Sequence, residues 1–205
     1  MKNLSFSLIL WAAAFVFFFP GFPLSAQEFD AAFGVTTLTA PSASSASGDH
    51  SPASLTGGAY PAFSAAVLLK HQLGFGGEIA WRGSQNLYVT PTVSSPYRPL
   101  FFDFDGVFAP KLTKHLTAEA MAGIGWESIR FYQPFVNCGN FGCTNYSSSN
   151  HFLGHVGGGL RFYVWGHLFV RPEAHLYLIN NNFEFSSARA ARFGVSIGYT
   201  FAPGF

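Results

Sequence analysis

Apolar residues alternate with small or polar ones at every second position along much of this chain, most clearly near its C-terminus. There Phe193, Val195, Ile197, Tyr199 and Phe201 fall on one face, and Gly194, Ser196, Gly198 and Thr200 on the other. Successive side chains of a strand point to opposite sides of a sheet, so this period reads as a β-strand with one apolar face. The same reading holds around Leu100, where Leu100, Phe102, Phe104 and Phe108 oppose Asp103 and Asp105. From Leu116 onward, Ala118, Ala120, Ala122, Ile124 and Trp126 oppose Glu119, Gly123 and Glu127. Leu168, Val170, Ala174, Leu176 and Leu178 alternate with Arg171, Glu173, His175 and Tyr177. Pro172 sits on the apolar side of that last segment and removes a backbone donor, which marks a bulge or a weak point. Phe29–Thr37, Pro61–Lys70, Leu73–Trp81 and Phe152–Trp165 fit the same template, giving eight strands. In the last of these, Gly157, Gly158 and Gly159 leave room for close backbone approach or strong curvature.

The direction of the apolar face decides what kind of sheet this is. Only 10% of the 205 residues are Asp, Glu, Lys or Arg, while 18% are aromatic and Phe alone occurs 25 times. A soluble domain carries about 25% charged residues to face water, so this exterior meets something apolar. A soluble eight-stranded barrel would turn its apolar face inward and its charges outward. Here the non-apolar face mixes Gly, Ser and Thr with charges of both signs, which suits a narrow polar lumen. Trp81 and Trp126 near one end of their strands, and Phe108, Tyr199 and Phe201 near the other, fit two interfacial aromatic girdles. No later segment is long and apolar enough to cross as a helix, and in lipid only helices and closed barrels satisfy their backbone groups. The net charge of +1 contains no basic block, so nucleic-acid binding has no footing.

The N-terminus carries its own signal. Met1-Lys2-Asn3 is a short basic start, followed by the apolar run Leu4 to Phe19, the breakers Pro20, Gly21 and Pro23, and Leu24-Ser25-Ala26 before Gln27. That order is the signature of a secretory signal peptide, and the run falls short of the roughly 20 residues of a membrane span. Residues 1–26 are expected to be removed, leaving 27–205 as one barrel domain. No Cys follows the run as a lipidation site.

The connections alternate in length. Ala40–Ala59, Gly83–Pro99 and Gln133–Asn150 are long; His71-Gln72, Lys111–His115 and Gly166-His167 are short; Asn180–Asn182 is intermediate. Short periplasmic turns and long outer loops are the rhythm of bacterial outer-membrane barrels. With the signal peptide, the eight amphipathic segments and the aromatic Phe205, the chain resembles the small OmpA-like and OmpX-like outer-membrane barrels. The resemblance implies an all-β, eight-stranded antiparallel up-and-down transmembrane barrel in the bacterial outer membrane. It further implies a C-terminal strand, Phe193 to Phe201 with Phe205, that is read by the barrel-assembly machinery. Ala202-Pro203-Gly204 separates Phe205 from that strand, and no peptidoglycan-binding domain follows the barrel, unlike in full-length OmpA.

Parity places Glu78, Arg82, Asp103, Asp105, Glu119, Glu127, Arg161, Arg171, Glu173 and His175 in the lumen. Eight strands enclose a space that side chains can just fill, and unpaired buried charges are costly. Arg161 and Arg171 are therefore expected to pair with Glu119 and Glu173 and plug the barrel. Cys138 and Cys143, the only cysteines, lie in one long connection and are expected to form a disulfide in an exported protein. Two thiols without further ligands make no zinc site, and no cofactor or metal is assigned. Asp49-His50-Ser51 and Ser148-Ser149-Asn150-His151 bring hydrolase-type residues together in sequence, but adjacency is not a triad. Tyr88, Tyr97, Phe135, Phe141 and Tyr146 are exposed loop aromatics on this reading, serving either recognition or the barrel rim. The expected role is structural or surface-interacting, with lipids as the surrounding partner and any outer ligand unidentified. A small channel is the alternative, and a lipid A-modifying enzyme comes third.

Overall fold

A computed structural model describes residues 28–40, 55–69, 72–89, 94–139, 142–182, 184–185 and 188–201. The signal peptide, Asp49-His50-Ser51, Lys70, His71, Phe141 and Phe205 lie outside the described residues. Ten strands form: β1 Glu28–Thr39, β2 Ala59–Leu68, β3 Leu73–Trp81, β4 Asn86–Val89, β5 Ser94–Phe108, β6 Lys111–Thr113, β7 Leu116–Gly139, β8 Gly142–Trp165, β9 Leu168–Ile179 and β10 Arg189–Phe201. Eight of them make a closed antiparallel ring, β1-β2-β3-β5-β7-β8-β9-β10, and β4 and β6 are short additions beside β5 and β7. The ring closes where β1 meets β10, through consecutive pairs from Phe29↔Phe201 to Thr39↔Ala191. Closure leaves no barrel strand with an unpaired edge, which is the condition for a sheet to exist in lipid.

The faces fall as the alternation predicts. Phe33, Phe63, Phe75, Phe104, Ile124, Val156, Phe193 and Ile197 point outward and are exposed, whereas the alternate residues between such positions are buried or half-buried. Aromatic side chains meet at both ends of the outer surface. Trp126 stacks on Phe102 and meets Phe152 edge-on near the loop end. Phe29, Tyr199 and Phe201 cluster near the termini, with ring centroids 4.8–5.6 Å apart. The turn Gly166-His167 joins the Trp165↔Leu168 pair, with Gly166 at φ 54. A left-handed residue at this position matches the twist of the strands it joins and favours glycine.

Several connections are more ordered than their sequences suggest. Gln133–Asn150 is not a loop but the upper part of a hairpin, since β7 and β8 are each 24 residues long. A spanning strand needs about 9–11 residues, so roughly half of each stands beyond the lipid. The β7–β8 register slips between Tyr132 and Asn137, then resumes through Cys138↔Cys143. Likewise Gly83–Pro99 contains β4 and the start of β5, and Lys111–His115 contains β6. Pro172 does not produce a bulge. The β8–β9 register is the same on both sides of it, Gly159↔Glu173 and Phe162↔Val170, and only the pairs between are missing.

Phe104 is 65% exposed in the middle of a spanning strand. Phe104→Arg should lower unfolding free energy in a bilayer by up to about 2–4 kcal/mol. Urea titration in lipid vesicles measures this, and an unchanged midpoint and slope would mean that the outward face is wrongly assigned.

Candidate functional site

The inward side chains stack into three zones. At the short-turn end, Leu68, Val107, Ala109 and Met121 form a small apolar cluster. At the loop end, Leu38, Leu55, Tyr60, Tyr97, Phe101, Ile129, Leu153, Tyr177 and Phe185 form a larger one, to which Leu55 and Phe185 come from the connections. Between the two lies a layer of charges. Parity alone marks this inner face as polar; the structure adds that it becomes apolar toward both ends.

All ten lumen residues predicted from parity are buried, from Glu127 and Arg161 at 0% exposure to Glu78 at 9%. The expected group of four comes together. Arg161 donates to Glu119 through Nε and to Asp30 through Nη1. Arg171 donates from Nη1 to Glu119 Oε1 at 3.0 Å and from Nε to Glu173 Oε2 at 2.7 Å. Its Nη2 donates to Ser64 Oγ at 2.9 Å, and the Nε–H is shared with Ser196 Oγ at 3.1 Å. Arg171 thus ties β9 to β2, β7 and β10, while Arg161 ties β8 to β1 and β7. Charge-assisted bonds of this kind are the stronger class, and a guanidinium fork suits several acceptors at once.

The remaining predicted residues form other contacts. Glu78 accepts from Arg192 Nη2. Arg82 donates to the Tyr97 hydroxyl at 3.3 Å, and Glu127 accepts from Asn182 Nδ2 at 3.2 Å. Asp105 accepts from His155 Nδ1 at 2.8 Å, and His155 Nε2 lies 3.0 Å from His175 Nδ1. The two imidazoles stack with centroids 5.1 Å apart, in a column continued by Tyr177 and Phe101. Gly157 makes room for them: a Cβ there would lie 2.9 Å from His175 Nδ1 and 3.0 Å from His155 Nε2. The glycines of β8 that point inward therefore serve side-chain clearance.

Asp30, His155 and Arg192 complete the layer and were missed by sequence reasoning, although parity marks all three. Asp30 follows outward Phe29, His155 shares the parity of Arg161, and Arg192 that of Ser196. The buried set is unbalanced. Carboxyl groups at Glu28, Asp30, Glu78, Asp103, Asp105, Glu119, Glu127 and Glu173 face guanidinium groups at Arg82, Arg161, Arg171 and Arg192. Glu28 is answered at the rim by Lys111.

Outside the lumen, Cys138 and Cys143 are disulfide-bonded as expected, across facing positions of the β7–β8 hairpin. Of the aromatics read as exposed, Phe135 is so at 62%, but Tyr97 is fully buried and Tyr88 packs on Tyr97, Phe131 and Phe185. Tyr97 turns inward because it shares the parity of Asp103, and the loop-end cluster encloses it. Tyr146 is half-buried, with Arg130 over its ring at 5.0 Å. An open groove of about 780 Å³ runs beside these residues, lined by Tyr88, Ser95, Phe131, Pro134, Phe135 and Glu184. Ser149, His151 and Glu184 meet nearby, but both Ser149 Oγ and Glu184 Oε2 lie 3.1 Å from the same nitrogen, His151 Nε2. Ser149 also donates directly to Glu184. A Ser–His–acid relay instead uses the two imidazole nitrogens in turn.

The closed eight-strand ring with an apolar exterior and a packed, charged interior is the fold of the small outer-membrane barrels. Solved structures agree on the fold. Neisserial surface protein A superposes with a TM-score of 0.57 at 11% identity, covering 85% of this chain and 96% of that one. Ail, the attachment invasion locus protein of Yersinia pestis, gives 0.53 at 10% identity, over 85% and 99%. The N-terminal β-barrel domain of Pseudomonas aeruginosa OprF gives 0.52 at 10% identity, over 85% and 98%. No protein-family profile and no curated protein sequence matches the chain.

Glu119 accepts from two guanidinium groups and is 5% exposed. Glu119→Ala should therefore cost roughly 3–5 kcal/mol, because it takes a shared carboxylate from two buried cations and leaves each with only its second partner, Asp30 or Glu173. Equilibrium unfolding in urea is the measurement, and a loss below about 1 kcal/mol, the worth of an exposed pair, would contradict the buried network.

Proposed function

We propose that this chain is a closed barrel of the bacterial outer membrane with a structural or surface-interaction role. The observation that carries the reading is the filled lumen. Arg161 and Arg171 strap strands together across the middle, and an aromatic cluster reaching to Phe185 caps the loop end. An ion would have to break charge-assisted bonds and part an apolar plug, both unfavourable in a confined interior. What remains available to a partner is the outer end, where the disulfide-tied β7–β8 hairpin and the groove under Tyr88 present a fixed, partly aromatic surface. Aromatic anchors in such positions suit recognition. The outward apolar band keeps lipid as the surrounding partner, and β10 is the strand offered to the barrel-assembly machinery.

The competing channel reading is separated by conductance. In planar bilayers the purified barrel should give no current steps above the bare-membrane baseline, and its Arg171→Ala variant should be leakier than the parent. A stable porin-like conductance from the unaltered protein would overturn the proposal. A change in the acyl-chain mass of lipid A on co-incubation would overturn it in favour of the enzyme reading, for which Ser149 and His151 lack relay order.

A further inference from the structure

In the charged layer, Glu78, Glu173 and His175 each place one ligand-type atom in the same spot, all within 4.8 Å of one another. Two strands supply them: β3, and two positions of β9 that follow each other on the inward face, with β10 lying between through Arg192. The side chains of Glu173 and His175 are 0% and 1% exposed. Their facing atoms, Glu173 Oε1 and His175 Nε2, lie 3.8 Å apart, and neither has a hydrogen-bond partner among the described residues.

The hydrogen-bond chain behind His175 determines what its Nε2 can be. A carboxylate only accepts, so the proton between Asp105 and His155 sits on His155 Nδ1. Nε2 of a neutral His155 is then a lone pair, and the 3.0 Å contact requires His175 Nδ1 to donate to it. The lone pair of a neutral His175 is thereby directed from Nε2 at the carboxylate oxygen of Glu173. Three electron-pair donors converge in a layer that already holds more carboxyl than guanidinium groups. Such a pocket attracts a cation.

We propose that Glu78, Glu173 and His175 form a binding site for one divalent transition-metal ion of the borderline class, such as Zn²⁺. Tetrahedral coordination with bonds of about 2.0–2.2 Å separates ligands by about 3.3–3.6 Å, so the 3.8 Å pair needs to close by a few tenths of an ångström, and the Glu78 oxygen, within 4.8 Å of both, by up to about 1.5 Å. One imidazole with two carboxylates suits Zn²⁺ or Mn²⁺. Calcium and magnesium select all-oxygen sets, and no thiolate is present to favour Cu(I). The surroundings are those of a ligand set held from behind. His175 is oriented through His155 by Asp105, Glu173 Oε2 is held by Arg171 and Ser196, and Glu78 by Arg192. The site is independent of the closed-barrel reading, since a metal at this point neither requires nor prevents conduction.

The test is metal content of the purified barrel after exposure to Zn²⁺ and gel filtration, with heat-modifiable mobility confirming that each variant is folded. About one ion per chain is expected in the parent and in His167→Ala, which removes an exposed turn histidine. Glu173→Gln and His175→Ala should lose it, and Asp105→Asn, which disturbs the orienting chain and leaves the three ligands in place, should weaken affinity about 10–100-fold. Equal metal in the parent and in Glu173→Gln, or none in the parent, would overturn the site and leave a proton on His175 as the balancing charge. Should the variants not fold, Co²⁺ added to the parent decides alone: ligand-field absorption in the visible is expected, and its absence contradicts the proposal.

Discussion

Lipid offers a backbone no hydrogen bonds, and every barrel strand here is placed by that constraint. A sheet meets it only by closing, and closure depends on the β1–β10 seam between the two ends of the described chain. Once the ring is shut, the period-two alternation has a single consequence. One set of side chains faces hydrocarbon and the other is confined to a lumen that eight strands make barely wide enough for side chains. The abundance of Phe and the scarcity of charge follow from the first half of that statement; the buried ion pairs follow from the second.

Confinement also explains why the charges are arranged as cross-lumen straps. A carboxylate on one wall of a narrow barrel reaches guanidinium groups rooted in other walls, so Glu119 is shared by Arg161 from β8 and Arg171 from β9. The polar layer thereby holds the sheet's curvature from within, in a place where hydrophobic burial has been given over to the lipid side. Apolar clusters at the two ends separate this layer from water, which raises the cost of leaving any member unpaired. The same isolation gives the converging donors around His175 their force.

Much of this was legible in the sequence, and the reasons are specific. Outward and inward sets are a matter of parity, so Phe104, Phe193 and the ten lumen residues could be placed without coordinates. Parity says nothing about height or about which wall faces which, because those depend on the stagger of the closed sheet. For that reason the meeting of Arg161 with Asp30, residues 131 positions apart, and of His155 with His175 could not be read from spacing. The β7–β8 extension was hidden for another reason. Gln133–Asn150 is polar and carries Pro134, so its strand character comes from its partner across the hairpin and from the Cys138–Cys143 bond, with little contribution from alternation. Tyr97 illustrates the limit from the other side: a tyrosine in a long connection reads as exposed until the loop-end cluster is seen to enclose it.

The central claim is that the charged layer acts as one cooperative unit that holds the barrel closed. A double-mutant cycle between Glu119→Ala and Arg161→Met, read from urea unfolding in lipid vesicles, tests this most directly. Residues sharing a buried network show coupling energies of about 0.5–3 kcal/mol, and the account predicts a value in the upper half of that range. Additivity within about 0.3–0.5 kcal/mol, as for independent sites, would contradict it.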